Sequence, residues 1–234
     1  MAIKKTNKKT RARKNFKRKQ QRIVKIQKGL SPAIYPFKRS TTTTIGLNTA
    51  APPEGWYANG NNLYKNWGFS LAQLYDFTEF TSLFKYYKLK GVRVQMYFSN
   101  TNSNARDGTS SPNQQILMWI DTNRDGADLG ISGEEKTYLN SQTAKKRLCL
   151  RADGRPIDIY MSLRQQDMVY GGVGNTDYAT VRPQWISTTE STTPHFGHKM
   201  MLQRVDGQAF TSGITNSQYC KIIQTIYFQC KKVE

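Results

Sequence analysis

The stretch YYKLKGVRVQMYF, residues 86–98, is the clearest β-strand in the sequence. Its apolar residues are odd-numbered up to Leu89 and even-numbered from Val92 onward, and the change falls at Lys90-Gly91. Successive side chains of a strand point to opposite faces, so one extra residue is needed to keep a single face buried. The sequence therefore predicts a strand with one buried face and a β-bulge at Gly91.

Alternating β-branched and aromatic residues predict further strands. In residues 35–45, Phe37 and Ile45 share one face and Lys38 lies on the other. The other predicted strands are 115–121, 144–152, 156–163, 198–205 and 219–231. No strand–helix alternation of the crossover kind occurs, so the pattern predicts an all-β fold, a single two-sheet antiparallel sandwich.

The segments between the strands predict loops and little helix. Residues 48–66 are rich in proline, glycine and asparagine, and residues 99–113 and 164–183 are polar. Residues 67–84 predict one or two short helices, with Asp76 or Thr78 as the N-cap.

Positive charge is concentrated at the N-terminus. The 234-residue chain has a formal net charge of +19, and residues 1–28 contain nine Lys, four Arg and no acid. Such a block repels itself and buries no apolar surface, so we predict a disordered basic arm, residues 1–30, before a folded domain, residues 31–234. An arm of this kind binds polyanions and also resembles a nuclear localisation signal. Its candidate nucleic-acid contacts are Lys4, Lys5, Lys8, Lys9, Arg11, Arg13, Lys14, Lys17, Arg18, Lys19, Arg22, Lys25 and Lys28.

The sequence offers little for catalysis, metal binding or membrane insertion. The only histidines, His195 and His198, would point to opposite faces of a strand, and we interpret them as polar residues at a loop end. We find no nucleophile–base pair and no paired carboxylates, so we expect neither an enzyme nor a cofactor. No apolar run is long enough for a transmembrane helix.

One short motif leaves calcium binding open. DTNRDG, residues 121–126, places Asp121, Asn123 and Asp125 before a glycine, as at the start of an EF-hand loop. The twelfth loop position is Ser132 instead of Glu, and the flanking residues predict a strand. A turn stabilised by Asx and Gly residues is the alternative.

Basic residues in the predicted strand 144–152 form a second candidate surface. Lys145, Arg147 and Arg151 alternate with Leu148 and Leu150 and would give the strand one basic face. This face either binds a polyanion or is simply solvated.

The order of these elements resembles the capsid proteins of circoviruses and related small circular single-stranded DNA viruses. The resemblance rests on YPFKRSTTTTI at 35–45, FTEFTSLF running into YYKLKGVRVQMYFS, and the terminal YCKIIQTIYFQCKKVE, all behind a basic arm. Residues 100–183 match weakly.

The resemblance implies an eight-stranded viral jelly roll. It also implies self-assembly into a T=1 icosahedral shell of about sixty copies, with the arm on a single-stranded DNA genome inside the virion. Nuclear import machinery would bring the protein to the host nucleus for assembly. About sixty chains at +19 carry roughly 1,140 positive charges, which neutralise a strand on the order of a thousand nucleotides.

The resemblance also implies where the basic residues of the domain face. Residues 35–45 would be the first strand, 86–98 the second and 219–231 the last, and the first and last would be neighbours in a sheet facing the lumen. Lys38 and Lys221 then become further nucleic-acid contacts where the arm enters the domain. Lys145, Arg147 and Arg151 would lie on the opposite sheet and, if it faces outward, would bind acidic glycans during host attachment.

Three alternatives remain open at this point. A basic nucleic-acid-binding protein of ribosomal or chromatin type explains the arm equally well but explains the long polar loops less well. A calcium-dependent sugar-binding sandwich rests on DTNRDG and leaves the arm unexplained. An enzyme comes last, for want of a catalytic set.

Overall fold

The computed structural model describes residues 33–100, 115–122, 135–149, 155–170, 176–211 and 218–232. The predicted disordered arm, residues 1–30, lies outside these ranges. By its contacts the chain divides after Ala33, and the unit described below begins at Ile34.

Twelve strands and two short α-helices run through the described residues. The strands are β1 (Ile34–Leu47), β2 (Tyr57–Asn59), β3 (Asn62–Phe69), β4 (Tyr86–Asn100), β5 (Ile116–Asp121), β6 (Ala144–Leu148), β7 (Ile157–Met161), β8 (Arg164–Tyr170), β9 (Thr176–Val181), β10 (Ile186–Ser187), β11 (His195–Arg204) and β12 (Gln218–Lys231). The α-helices are α1 (Phe77–Leu83) and α2 (Glu135–Asn140), and single 3-10 turns span Leu71–Gln73 and Thr188–Glu190.

Eight of these strands form the two antiparallel sheets of a jelly roll. The first sheet has the order β1–β12–β4–β7, and β10 pairs with the N-terminal end of β4. The second sheet has the order β3–β11–β5–β6. The short strand β2 extends it beyond β3, and the β8–β9 hairpin joins it through β11. The first and last strands are neighbours, as predicted, and the all-β jelly roll is confirmed.

The core lies between the two sheets. Val92, Val94 and Met96 of β4 are fully buried against the second sheet, where Met118 and Met200 are fully buried. Helix α1 closes one end of the core, because the Phe80 ring meets that of Phe228 edge-on at 4.9 Å between centroids. Asp76 occupies the predicted N-cap of α1 but makes no side-chain capping bond there.

The predicted β-bulge is confirmed in β4, where it pairs with β12. Tyr227 pairs with Gly91 and Phe228 pairs with Leu89, so Lys90 has no counterpart in the ladder. This extra residue restores a common buried face, since Leu89 and Val92 are both fully buried.

Space and not backbone conformation requires glycine at the bulge. Gly91 is not among the described glycines with positive φ. A Cβ atom on Gly91 would overlap the Tyr160 hydroxyl and would lie 2.9 Å from the backbone oxygen of Met161. The neighbouring strand β7 therefore packs directly over the Gly91 backbone.

Several predicted loops contain strands. Residues 48–66 were predicted as loop, yet β2 and the start of β3 lie there, and Leu63, Trp67 and Phe69 of β3 point into the core. Residues 164–183 were also predicted as loop, yet the paired strands β8 and β9 lie there. Residues 86–98 were expected to be the second strand and belong to the fourth, β4, because β2 and β3 precede it.

The interpretation of the two histidines as polar residues at a loop end is wrong. Both lie on β11 and both are buried, with His195 fully so. The His195 Nδ1 atom lies 3.0 Å from the Thr193 carbonyl oxygen, while its Nε2 atom has no hydrogen-bond partner. Its ring faces Tyr87 of the opposite sheet at 6.4 Å between centroids. Burial lowers the pKa of His195, because the charged imidazolium would lose its hydration.

We expect this histidine to destabilise the fold in acid. Since its pKa is lower when folded, the unfolded chain takes up a proton first as the pH falls below about 6.5. The free energy of unfolding should therefore fall by about 1–2 kcal/mol more between pH 7 and pH 5 in the parent protein than in His195→Phe. Denaturant titration of the unassembled subunit at both pH values measures this difference. Equal pH dependence in the two proteins would contradict the conclusion that burial lowers the pKa of His195.

Candidate nucleic-acid interface

The first sheet has one face turned away from the core, here called the basic face. In β12 this face carries the odd-numbered residues, because the even-numbered ones such as Cys220 and Phe228 are buried. The register places Lys38 of β1 beside Tyr227 of β12, and Lys221 of β12 between Thr44 of β1 and Tyr97 of β4. Both lysines are exposed, as the alternation of β1 and β12 predicted.

Cations outnumber acids on the basic face. Its described residues include six cations and a single acid, Asp158. The cations are Lys38, Lys88, Lys90, Arg93, Lys221 and Lys231. Clustered positive charge on one face is the electrostatic signature of a polyanion-binding surface.

The acid on this face is neutralised by its neighbour. Asp158 of β7 accepts two hydrogen bonds from Arg93 Nε, at 2.9 and 3.0 Å, and a third from Arg93 Nη2. These bonds hold the pKa of Asp158 below its usual range, so it stays ionised. The other cations of the face keep their charge for an external partner.

Aromatic and hydroxyl groups lie between the cations. Tyr97 and Tyr160 are exposed on β4 and β7, and the Tyr160 ring lies 6.3 Å from that of Tyr227. The Ser40 and Thr225 hydroxyls form a 2.9 Å hydrogen bond across β1 and β12. Exposed aromatic rings among cations can stack bases while the cations contact phosphates, and this arrangement suits single-stranded nucleic acid.

One part of the expectation for Lys38 and Lys221 is wrong. Both were expected where the arm enters the domain, but their positions along β12 differ by six residues, or about 20 Å at the rise of a strand. Lys38 lies near the start of β1. Lys221 of β12 lies opposite Thr44, near the other end of β1. The two lysines therefore mark the ends of one surface.

The sequence interpretation did not select Lys88, Lys90, Arg93 and Lys231 as contacts. A signal was present in YKLKG, where Lys88 and Lys90 flank the buried Leu89. The bulge that follows obscured which face Arg93 would occupy, and only the pairing with Thr225 places it on the basic face.

The second predicted basic surface lies on the opposite sheet, as expected. Lys145 and Arg147 are exposed on β6, at the edge of the second sheet, while Arg151 lies outside the described residues. The expectation of a single basic face is wrong, because Lys146 is exposed on the other face, next to Leu148, which is 54% exposed. On this edge strand, residues 145–148 are all exposed, so side chains on both of its faces reach solvent.

Of the calcium motif, the structure describes only Asp121 and Thr122. Asp121 ends β5, is buried, and accepts hydrogen bonds from the Ser141 and Thr143 hydroxyls that precede β6. Asn123 and Asp125 lie outside the described residues. Within the described part of the chain, no group of three His, Cys, Asp or Glu residues could hold a metal ion. No helix there is long and apolar enough to span a membrane.

Four aromatic residues in the predicted loops, Trp56, Tyr57, Tyr64 and Tyr170, are candidates from the sequence either for anchors of subunit contacts or for core residues. The structure divides them between core and surface. Trp56 and Tyr64 are buried within the subunit, whereas Tyr57 is partly exposed. The backbone of Tyr170 ends β8, and its side chain lies outside the description.

Comparison with known proteins identifies relatives of this chain. A family model described as Circovirus capsid protein matches residues 4–234. A crystal structure of the 60-mer BFDV capsid protein aligns at a TM-score of 0.57 and 10% identity over 86% of this chain and 95% of that one, which supports the fold. A decameric BFDV capsid protein aligns at 0.42 and 12% identity over 86% of this chain and 100% of that one. A mud crab tombus-like virus structure aligns at 0.40 and 12% identity over 93% of this chain and 99% of that one. No curated protein matches the chain.

Proposed function

The chain belongs to the circovirus capsid protein family, and from that premise we propose that it assembles into a closed shell and packages single-stranded DNA with its basic arm. The family is structural and not enzymatic, so the chain is a component of a virion. Membership rules out the alternative of a basic nucleic-acid-binding protein that forms no capsid.

The distribution of charge carries the proposal about DNA. Residues 1–28 hold thirteen cations and no acid, and the basic face adds six cations against one neutralised acid. A packaged strand carries one negative charge per nucleotide, and bound cations release its counterions whatever the base sequence. The arm therefore condenses a genome without reading its sequence, and the basic face supplies further contacts to the same strand.

Assembly follows from the family and from the copy number seen in a relative. A BFDV capsid protein of the same fold has been crystallised as a 60-mer, and we propose about sixty copies in a T=1 shell for this chain. We assign the subunit contacts to the connections predicted at 48–66, 99–113 and 164–183, where Tyr57 is partly exposed. In this shell the basic face is turned to the lumen.

The basic face makes a prediction about salt dependence. In Lys38→Gln/Lys221→Gln, the slope of log K against log salt for binding a single-stranded oligonucleotide should fall by about 1.4, since each phosphate contact contributes about 0.7. Fluorescence anisotropy of the full-length, unassembled subunit across a salt series measures the slope. As a control, Arg182→Gln removes an exposed cation that follows β9 and belongs to neither basic surface, and it should leave the slope unchanged. Equal slopes for all three proteins would contradict a role for the basic face.

Two further roles belong to the same proposal. The Lys-rich arm is also a nuclear localisation signal, which nuclear import machinery recognises before assembly. The exposed cations Lys145, Lys146 and Arg147 on the edge strand β6 favour binding of acidic glycans on the host cell, since they belong to the sheet opposite the basic face. Loss of particle binding to immobilised heparin in Lys145→Gln/Arg147→Gln would support the second role.

A further inference from the structure

A cavity of about 490 Å³ opens beside the N-terminal end of β4. It lies between residues 81–86, where α1 passes into β4, and residues 187–189, where β10 passes into a 3-10 turn; Lys232, just after β12, completes its wall. Its volume falls within the range of small-molecule sites and is sufficient for one nucleotide.

The walls of the cavity are held in place by hydrogen bonds. The Thr188 backbone N–H donates to the Lys85 carbonyl oxygen at 3.0 Å, and the buried Thr188 hydroxyl donates to the Phe84 carbonyl oxygen at 2.8 Å. The Phe84 N–H donates to the Phe80 carbonyl oxygen at 3.0 Å and ends α1. The cavity is therefore preformed and needs no ordering when a ligand enters.

The chemistry of the walls distinguishes an apolar part from a charged part. Leu83, Phe84 and Tyr86 line the apolar part, and Leu83 is 62% exposed. The partly buried Phe84 ring also packs against the rings of Tyr35 and Phe37, at 5.4 and 5.6 Å between centroids. Lys85 and Lys232 supply two exposed ammonium groups, and no Asp or Glu is among the described lining residues. An aromatic wall beside a cationic rim fits a flat, uncharged ring system joined to an anion.

Two of the five Ser and Thr hydroxyl groups that line the cavity favour a base over a free anion; of the other three, Ser187 and Thr189 bond each other and Thr188 donates to the Phe84 carbonyl oxygen. The Thr81 and Ser82 hydroxyls donate hydrogen bonds to the carbonyl oxygens of Thr78 and Glu79. They therefore offer acceptors to the cavity, and acceptors repel phosphate oxygens but bind the amino group of a nucleobase. The phosphate must then lie at the two lysines.

The position of the cavity connects it to the basic face. Lys231, one residue before Lys232, pairs with Tyr86 on one side and with Ile34, the first residue of β1, on the other. The Lys231 Nζ atom lies 4.9 Å from the ring centroids of both Tyr86 and Trp185. A strand following the basic face toward the start of β1 thus reaches the cavity directly after Lys231.

We propose that this cavity binds one nucleotide of the packaged single strand, with its base against Phe84 and Tyr86 and its phosphate between Lys85 and Lys232. The site rests on the proposed packaging function. It adds to that function a defined position on each subunit at which the strand is held. A base held in a preformed cavity anchors the strand at one repeated position, whereas arm contacts alone leave it free to slide.

Ultraviolet crosslinking of full-length particles, followed by mass spectrometry, tests this site. Nucleotides should be attached to Phe84 or Tyr86 in the parent protein. In Lys85→Glu/Lys232→Glu this crosslink should fall about tenfold, while total nuclease-protected DNA should change less than about twofold, because the arm keeps its cations. The charge-matched control Lys145→Glu/Lys146→Glu should keep the crosslink.

The outcomes separate the site from the function on which it rests. Protected DNA with crosslinks elsewhere, or with a Tyr86 crosslink that the double substitution leaves intact, would overturn the cavity and leave packaging standing. Particles without protected DNA would overturn packaging itself, and the nucleotide site with it. The crosslinks of the parent protein are mapped first. The site is therefore tested even if the substituted protein fails to fold.

Discussion

Gly91→Ala lowers the free energy of unfolding by about 2–3 kcal/mol, the upper part of the range for overpacking a well-packed site. The added methyl group would overlap the Tyr160 hydroxyl and come within 2.9 Å of the Met161 carbonyl oxygen. The tyrosine side chain can rotate away, but the carbonyl belongs to β7 and is fixed by its pairing with β4. Denaturant unfolding of the unassembled subunit measures the loss.

A matched control is available in the second sheet. Gly68 also lies within a strand, β3, but a Cβ atom there would meet nothing within 4 Å. Gly68→Ala should therefore leave stability within about 1 kcal/mol of the parent, or raise it slightly, because alanine has less freedom in the unfolded chain. Adding Tyr160→Ala to Gly91→Ala should restore part of the loss, since it removes the hydroxyl contact and leaves the carbonyl contact. Equal stability of Gly91→Ala and Gly68→Ala would contradict the conclusion that close packing requires glycine at the bulge.

Deleting residues 2–30 reduces nuclease-protected DNA per particle at least about threefold. Removing the arm takes away thirteen of the net nineteen positive charges, and the packaged length scales with the charge that neutralises it. Quantification of phosphate and protein in nuclease-treated particles measures the ratio. Particles should still form, because the contacts between subunits are assigned to the folded domain.

A scrambled arm distinguishes charge from sequence. The same residues in a shuffled order keep every cation and should restore packaging to within about twofold, because phosphate contacts are blind to sequence order. An arm with its Lys and Arg replaced by Gln keeps the length and should behave like the deletion. Normal DNA content in the Gln variant would contradict the role of the arm.

The strongest sequence patterns predicted the framework of the fold. The parity change at Gly91 predicted a bulge because burial of one face permits only one register. The alternation of residues 35–45 and 219–231 predicted two strands whose exposed faces carry Lys38 and Lys221. These inferences are local, and local periodicity is what a sequence displays directly.

Strands with polar interruptions escaped the sequence interpretation. In β3, Asn62, Lys65 and Asn66 interrupt the apolar residues, and the segment was predicted as loop up to residue 66 and as part of a helical segment from residue 67. Lys65 is tolerated on that strand because its Nζ atom lies over the rings of Trp56 and Trp67, at 5.9 and 5.5 Å from their centroids. Trp67 lies two positions further along the same strand and Trp56 precedes β2, so this contact depends on the local fold and leaves no periodic signal.

The candidate sites illustrate the same limit. Arm residues are recognisable because thirteen cations lie within residues 1–28 with no acid among them. The basic face needs the register of four strands, β1, β12, β4 and β7, and the last two bring Arg93 and Asp158 together across 65 positions of sequence. The cavity joins residues near 85, 188 and 232, and no pattern within any one segment indicates it.

The measurement that tests the central claim most directly is electron microscopy of the purified full-length protein at moderate salt, with nuclease treatment before imaging. The account predicts uniform closed particles of about sixty subunits whose interior holds protected single-stranded DNA. Dispersed monomers or small oligomers across several salt and pH conditions would contradict it.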